Sequence, residues 1–201
     1  YTYSADGEWT GRADANGDTT LSYNALGHLI SMSQTSGTVT YTLDGRDRRV
    51  ARQVDGALVE RWLYGDFNHP VAELNLDASV RHFYVHTGVD TAPAYIESGT
   101  AQYKVIKDHI GSVRLVVDAD TGAVIQRLDY DPWGVVTADS NPGFQAFGFA
   151  GGLYDPVTQL VQFGYREYDA QTARWTRRDP AYFEGSLINL YDYASADPVN
   201  R

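Results

Sequence analysis

The chain has 201 residues, enough for one ordinary domain or two small ones with a real core. Its 26 acidic against 16 basic residues leave a formal charge of −10, which disfavours nucleic-acid backbones and anionic lipid as partners. It has no cysteine, hence no disulfide or thiolate metal site, and no apolar run approaches the roughly 20 residues of a membrane helix.

Fifteen tyrosines, 19 glycines and 7 prolines in a chain that is 43% hydrophobic read as a folded, β-rich protein, because aromatics suit a pleated, half-buried surface. No basic-then-apolar leader precedes the first residues, so the sequence is expected to begin inside a longer polypeptide. In chain order, Thr38 to Leu43 alternates, with Val39, Tyr41 and Leu43 predicted on one face. Ala57 to Tyr64, Val80 to His86 and Ala101 to Lys107 are further predicted strands. Val113, Leu115 and Val117 are predicted to share a face; Asp118 to Gly122 then turns the chain, and Val124, Leu128 and Tyr130 return. Val161 to Tyr168 reads as another strand, and Asn189 to Ala194 as one short turn of helix.

Repetition organises these runs. Tyr3 to Gly7, Tyr23 to Gly27, Tyr41 to Gly45 and Tyr130-Asp131-Pro132-Trp133-Gly134 each place a glycine four residues after a tyrosine, the first three about 20 residues apart. The tyrosine is predicted to end a strand and the glycine to accept the positive φ of a turn. The expected architecture is all-β: successive antiparallel hairpins forming a curved sheet, with little helix.

Tyr23-Asn-Ala-Leu-Gly27 and Tyr41-Thr-Leu-Asp-Gly45-Arg46 resemble degenerate copies of the tyrosine–aspartate repeat, Y-D-x-x-G-R. From Asp108 onward the chain resembles the RHS repeat-associated core. It carries Asp108-His-Ile-Gly-Ser112, Tyr130 to Gly134, Phe147-Gly-Phe-Ala-Gly151, Tyr154-Asp-Pro-Val-Thr158 and Tyr165-Arg-Glu-Tyr168. Arg174-Trp-Thr-Arg-Arg-Asp179-Pro180, Asn189-Leu-Tyr191-Asp-Tyr193 and Asp197-Pro-Val-Asn200 complete the order. The resemblance divides the chain into a repeat region, 1–107, and a core region, 108–201. It implies a segment of a β-shell of the RHS/YD-repeat family, which encloses or presents a C-terminal toxin, with the rest of that shell and its cargo as partners. Family members of this kind are secreted or displayed at the cell surface. Alternatives implied by the family are an aspartyl autoprotease core and a cell-surface adhesion or carbohydrate-binding module.

For the autoprotease, the resemblance assigns Asp179 as half of a carboxylate dyad, since two close carboxylates can share a proton and act as base and acid on water. Position 182 is Tyr where the family pattern has glycine, which arrives only at Gly185, and no second matching aspartate is present. This chain is therefore expected not to cleave itself. The pairs at Asp131, Asp155, Asp179 and Asp197 also read as Asp-Pro turn openers. His82 and His86 are too far apart along a strand for one metal ion, and no cofactor or metal site is expected. Trp9, Trp62, Trp133 and Trp175 read as packing residues or, alternatively, sugar platforms. Arg174, Arg177 and Arg178 are expected to pair with carboxylates inside the protein. Severed sheet edges are expected to favour self-association.

Overall fold

The structure, a computed structural model, describes residues 1–15, 17–66, 69–88, 91–182 and 189–200; Gly185 lies outside them. Fourteen strands form one antiparallel sheet in which each strand pairs with its neighbours in sequence. They begin with β1 Thr2–Tyr3, β2 Trp9–Asp14, β3 Gly17–Tyr23, β4 Leu29–Gln34, β5 Gly37–Leu43, β6 Arg49–Val54 and β7 Ala57–Tyr64. They continue with β8 Pro70–Leu74, β9 Val80–Val85, β10 Tyr95–Ser98, β11 Ala101–Lys107, β12 Val113–Asp118, β13 Val124–Tyr130 and β14 Val136–Asp139. A second antiparallel sheet follows, of β15 Leu153–Tyr154, β16 Leu160–Phe163, β17 Arg166–Asp169 and β18 Arg174–Trp175. The all-β hairpin succession expected from the sequence is therefore the observed fold. Residue 107 ends β11, whose ladder with β12 continues the large sheet; the change of sheet comes after Asp139.

The turns along one rim share a common closure. In the turns opened by Ser4, Asn24, Asp44, Asp108 and Asp131, the first N–H donates to the carbonyl four residues on, and the fourth residue's N–H donates back to the first carbonyl. The side-chain oxygen of that first residue accepts two further N–H groups, as Asn24 does from Leu26 and His28 and Asp131 from Trp133 and Val135. The fourth residue then has positive φ: 83° at Gly7, 76° at Gly27, 58° at Asp47, 90° at Gly111 and 93° at Gly134. The phase predicted for Tyr41 and Gly45 needs correction. Leu43 stands where Tyr3, Tyr23 and Tyr130 stand, Asp44 opens the turn, and Asp47 occupies the left-handed position. Tyr41 is buried in mid-strand, and Gly45 is not left-handed and has open space around it. The side-chain oxygen that captures the turn's N–H groups sets the phase; an aromatic four residues before a glycine does not.

Each of these five turns is followed by a β-bulge in the returning strand, with Thr10, Ile30, Val50, Arg114 and Thr137 as the extra residues, and the turn after Tyr64 is followed by another at Val71. Buried positions three apart follow on β4 (Leu29 and Met32), β6 (Arg49 and Arg52), β8 (Pro70 and Glu73, with Ala72 also buried) and β12 (Val113 and Val116). This overturns the shared face predicted for Val113, Leu115 and Val117, because the bulge at Arg114 turns Val116 inward in place of the other two. A bulge at Ile125 likewise sends Val124 outward while Gln126 and Leu128 are buried. Strands without such a bulge alternate as expected, with Val39 and Tyr41 buried on β5. The run from Val161 to Tyr168 is not one strand but the hairpin of β16 and β17, reversing at Gly164, whose φ is 57°. At Asn189–Ala194 the expected helical turn is displaced: a 3-10 turn occupies Ala194–Ala196, at φ 50°, 54° and 60°.

The second sheet packs against one face of the first. Leu160 joins the cluster of Trp9, Leu21, Leu29, Met32, Val39 and Tyr41, while Ala146, Phe147 and Leu153 join Trp62, Tyr84, Ile96, Val113 and Val116. A third cluster of Phe149, Val161, Tyr168, Ala170 and Tyr193 lies within the C-terminal region. A Cβ at Gly134 would overlap the Phe149 ring and would have to tolerate φ 93°. Gly134→Ala is accordingly expected to lower unfolding stability by roughly 2–4 kcal/mol in urea titrations, and Gly45→Ala by no more than about 0.5 kcal/mol.

Candidate functional site

Strand β6 carries arginines where β4 carries Leu29 and Met32. The turn and bulge repeat, so Arg49 and Arg52 point onto the C-terminal sheet, and both are buried. Arg49 Nη2 lies 3.2 Å from Glu167 Oε1 on β17, with only 4% and 3% of the two side chains exposed. Its guanidinium also lies 3.4 Å from the Tyr41 ring centroid, a cation–π contact. Arg52 donates through Nη1 to Asp155 Oδ1 at 2.7 Å, and its Nε lies 3.0 Å from Glu60 Oε2. The Tyr41 hydroxyl donates to Asp155 Oδ2 at 2.6 Å, and the N–H groups of Val157 and Thr158 donate to Asp155 Oδ1. Asp155 therefore both opens its Asp-Pro turn and binds two strands of the large sheet. On β8, Glu73 stands where Arg52 stands on β6. It accepts from Arg81 Nη1 and the Tyr84 hydroxyl, both at 2.7 Å, and Arg81 reaches on to the Gly143 carbonyl.

Burial dominates the electrostatics of this seam. It pushes the Glu167 carboxyl up to about 7 against the pull of Arg49 and Arg177. It also pushes Glu60 up to about 7 against Arg52, with Glu73 and Asp155 adding repulsion. The Tyr41 and Tyr84 hydroxyls are likewise raised by burial, which keeps them as donors. Glu167 Oε2 and Arg49 Nε have no hydrogen-bond partner among the described residues. Such an arrangement holds two surfaces in one register: breaking one side of a buried ion pair typically costs about 3–5 kcal/mol, whereas replacing both sides by apolar groups is often neutral.

The structure does not gather the sequence candidates into one constellation. Asp179 Oδ2 accepts from Arg166 Nη1 at 3.1 Å and Oδ1 from the Ala181 N–H, so its carboxylate meets a cation and a turn. Tyr3 with Gly7, Tyr23 with Gly27, and Tyr130 with Asp131 and Gly134 lie at separate rim turns. His82 is buried among Tyr84 and Phe144, with burial lowering its basicity, while His86 Nε2 faces the Pro70 carbonyl. Trp9 and Trp62 are buried; Trp175 is packed by Phe163, Tyr168 and Tyr193, with Arg166 over its ring. Arg177 and Arg178 donate to backbone: Arg177 Nη1 to the Leu26 and Gly27 carbonyls and Arg178 Nε to the Asp6 carbonyl. Carbonyls replace the expected carboxylates because the turns aim their oxygens at the rim. Among the described residues no three metal-binding side chains converge, and no helix is long and apolar enough to cross a membrane. Sequence reasoning missed Arg49, Arg52, Glu73, Asp155 and Glu167 as a seam. The available signal was charge at positions 20 residues after Leu29 and Met32.

A wall of hairpins in chain order, with a C-terminal sheet seated on one face, defines a hairpin-repeat shell domain. The chain belongs to the teneurin YD-shell family, whose description matches residues 1–199. It is 31% identical to Teneurin-3 of Danio rerio over 202 residues, covering 89% of this chain and 7% of that protein. The crystal structure of TcdB2-TccC3-Cdc42 superposes with a TM-score of 0.68 at 20% identity, over 91% of this chain and 10% of the other. TcdB2-TccC3 without its hypervariable C-terminal region gives a TM-score of 0.65 at 21% identity, with the same coverage. At those identities the likeness is one of fold.

Glu60 and Glu167 give stability a definite pH sign. Their folded-state pKa values of about 7 exceed the ordinary 4.5, so the folded state binds the extra protons. The associated stability is full below about pH 4.5 and is lost as pH rises through 7. Urea midpoints are expected to fall between pH 5 and pH 8, and Glu167→Gln to flatten that fall. Arg49→Met alone is expected to cost about 3–5 kcal/mol, with Glu167→Leu in the same chain restoring most of it.

Proposed function

We propose that this chain is a wall segment and the closing end of a shell that encloses a C-terminal toxin-type cargo. The observation that carries this reading is the uninterrupted ladder from β1 to β14 with the C-terminal sheet locked onto one face by buried ion pairs. Its chemistry is positional: its carboxylates are engaged by arginines, tyrosines and backbone N–H groups. The neighbour TcdB2-TccC3, one of whose structures lacks a hypervariable C-terminal region, supports a variable segment following the closing sheet. The same reading places the protein outside the cytoplasm, exported or displayed at the surface. It retains the division into wall, 1–107, and core, 108–201, as a division of roles.

Protease protection tests enclosure. In the full-length protein, a region following this segment should resist a protease that digests it when it is expressed alone. Equal digestion of the two would refute enclosure.

For Asp179, the ion pair with Arg166 and the Ala181 cap favour a turn-forming role in this chain. On prolonged incubation the isolated chain is expected to stay whole by mass spectrometry, and Asp179→Asn to reduce stability by about 0.5–1.5 kcal/mol without changing chain length.

A further inference from the structure

The repeat turns and the C-terminal region meet at glycines. Arg177 and Arg178 are consecutive, and they engage turns whose starts lie 20 residues apart, at Ser4 and Asn24. Arg177 Nη1 donates to the Leu26 carbonyl at 2.9 Å and the Gly27 carbonyl at 2.7 Å. Arg178 Nε donates to the Asp6 carbonyl at 2.7 Å, and the Tyr191 hydroxyl donates to the Gly7 carbonyl at 2.8 Å. A Cβ at Gly7 would overlap Arg178 Nε, and one at Gly27 would stand 2.5 Å from Arg177 Nη1. The two turns are two strands apart, about 9–10 Å, and the two consecutive arginines reach them from the bend that follows β18. The third turn has Asp47 in the glycine position, where it meets His28 Nδ1 at 3.3 Å and receives no such arginine.

We infer that Arg177 and Arg178 form a two-pronged latch that seats the C-terminal sheet on two consecutive turns of the wall, and that glycine is required at those turns as the socket for each guanidinium. The inference rests on the proposed role of this sheet as the closing end of the shell. Positive φ alone explains neither the absence of an arginine at Asp47 nor the crowding at Gly7 and Gly27. The latch selects a rim with open carbonyls in successive turns, and so sets the register in which the closing sheet meets the wall. The guanidinium suits this task because it is permanently charged and presents several donors in a fixed plane.

The test is a double-substitution cycle on this chain, read by denaturation midpoint and amide exchange. The Trp9 N–H donates to the Thr176 carbonyl beside the latch, so its exchange reports docking directly. Arg178→Ala and Arg177→Ala are each expected to speed Trp9 exchange on the order of tenfold, with the β11–β12 ladder unchanged. Gly27→Ala should lower the midpoint more in the native background than with Arg177→Ala, because the shortest overlap is then gone, leaving the contact with Glu8 Oε1 at 3.1 Å and the backbone strain. An equal midpoint loss in both backgrounds overturns the socket, and unchanged Trp9 exchange in both arginine variants overturns the latch. If Gly27→Ala does not fold, the arginine variants decide the latch, and Gly7→Ala compared between Tyr191→Phe and Tyr191→Phe with Arg178→Ala backgrounds decides the socket, since a Cβ at Gly7 also meets the Tyr191 hydroxyl. No cargo enters the measurement, so failure here and failure of enclosure are distinguishable.

Discussion

Two N–H groups captured by one side-chain oxygen govern most of this architecture. When Asn24, Asp44, Asp108 or Asp131 accepts them, the turn closes with its fourth residue left-handed, and the strand that leaves it carries one extra residue. That extra residue reverses the alternation of faces. It decides that Leu29 and Met32, Arg49 and Arg52, and Val113 and Val116 point inward. A local hydrogen-bond preference thus selects the inner surface of a fourteen-stranded wall.

The inner surface then specifies its occupant. Where the repeated positions hold leucine, methionine or valine, the contact with the C-terminal region is apolar and would tolerate sliding. Where they hold Arg49, Arg52 and Glu73, sliding would strand a buried charge. Asp155 is the node of this arrangement, since one carboxylate organises its own turn and is gripped by β5 and β6. Such pairs add little net stability over an apolar seam; what they provide is a single register.

These features suit a protein whose work is to hold a boundary. Proton transfer or metal binding needs side chains brought to one point, whereas here Asp179, His82, His86, Trp9, Trp62 and Trp175 are separately packed. Buried ion pairs instead run along the seam between the two sheets, Arg49 to Glu167 and Arg52 to Asp155, while Glu73 on β8 is held by Arg81 and Tyr84 within the large sheet. A wall closed by a sheet from its own chain needs such a seam.

Local chemistry was legible in the sequence: the all-β class, the hairpin succession, the roughly 20-residue period and the turn-forming roles of Asp131, Asp155 and Asp179 all follow from residue types and spacing. The phase around Tyr41 and the inward faces of β12 and β13 did not follow, because a bulge is a relation between two strands and leaves no mark in the alternation of one. Nor did the seam. Glu167 and Asp155, which meet Arg49 and Arg52 across the seam, lie more than 100 residues away, as do the carbonyls taken by Arg177 and Arg178. Only the folded chain brings those groups together, since their pairing depends on burial and on strand order across the whole sheet.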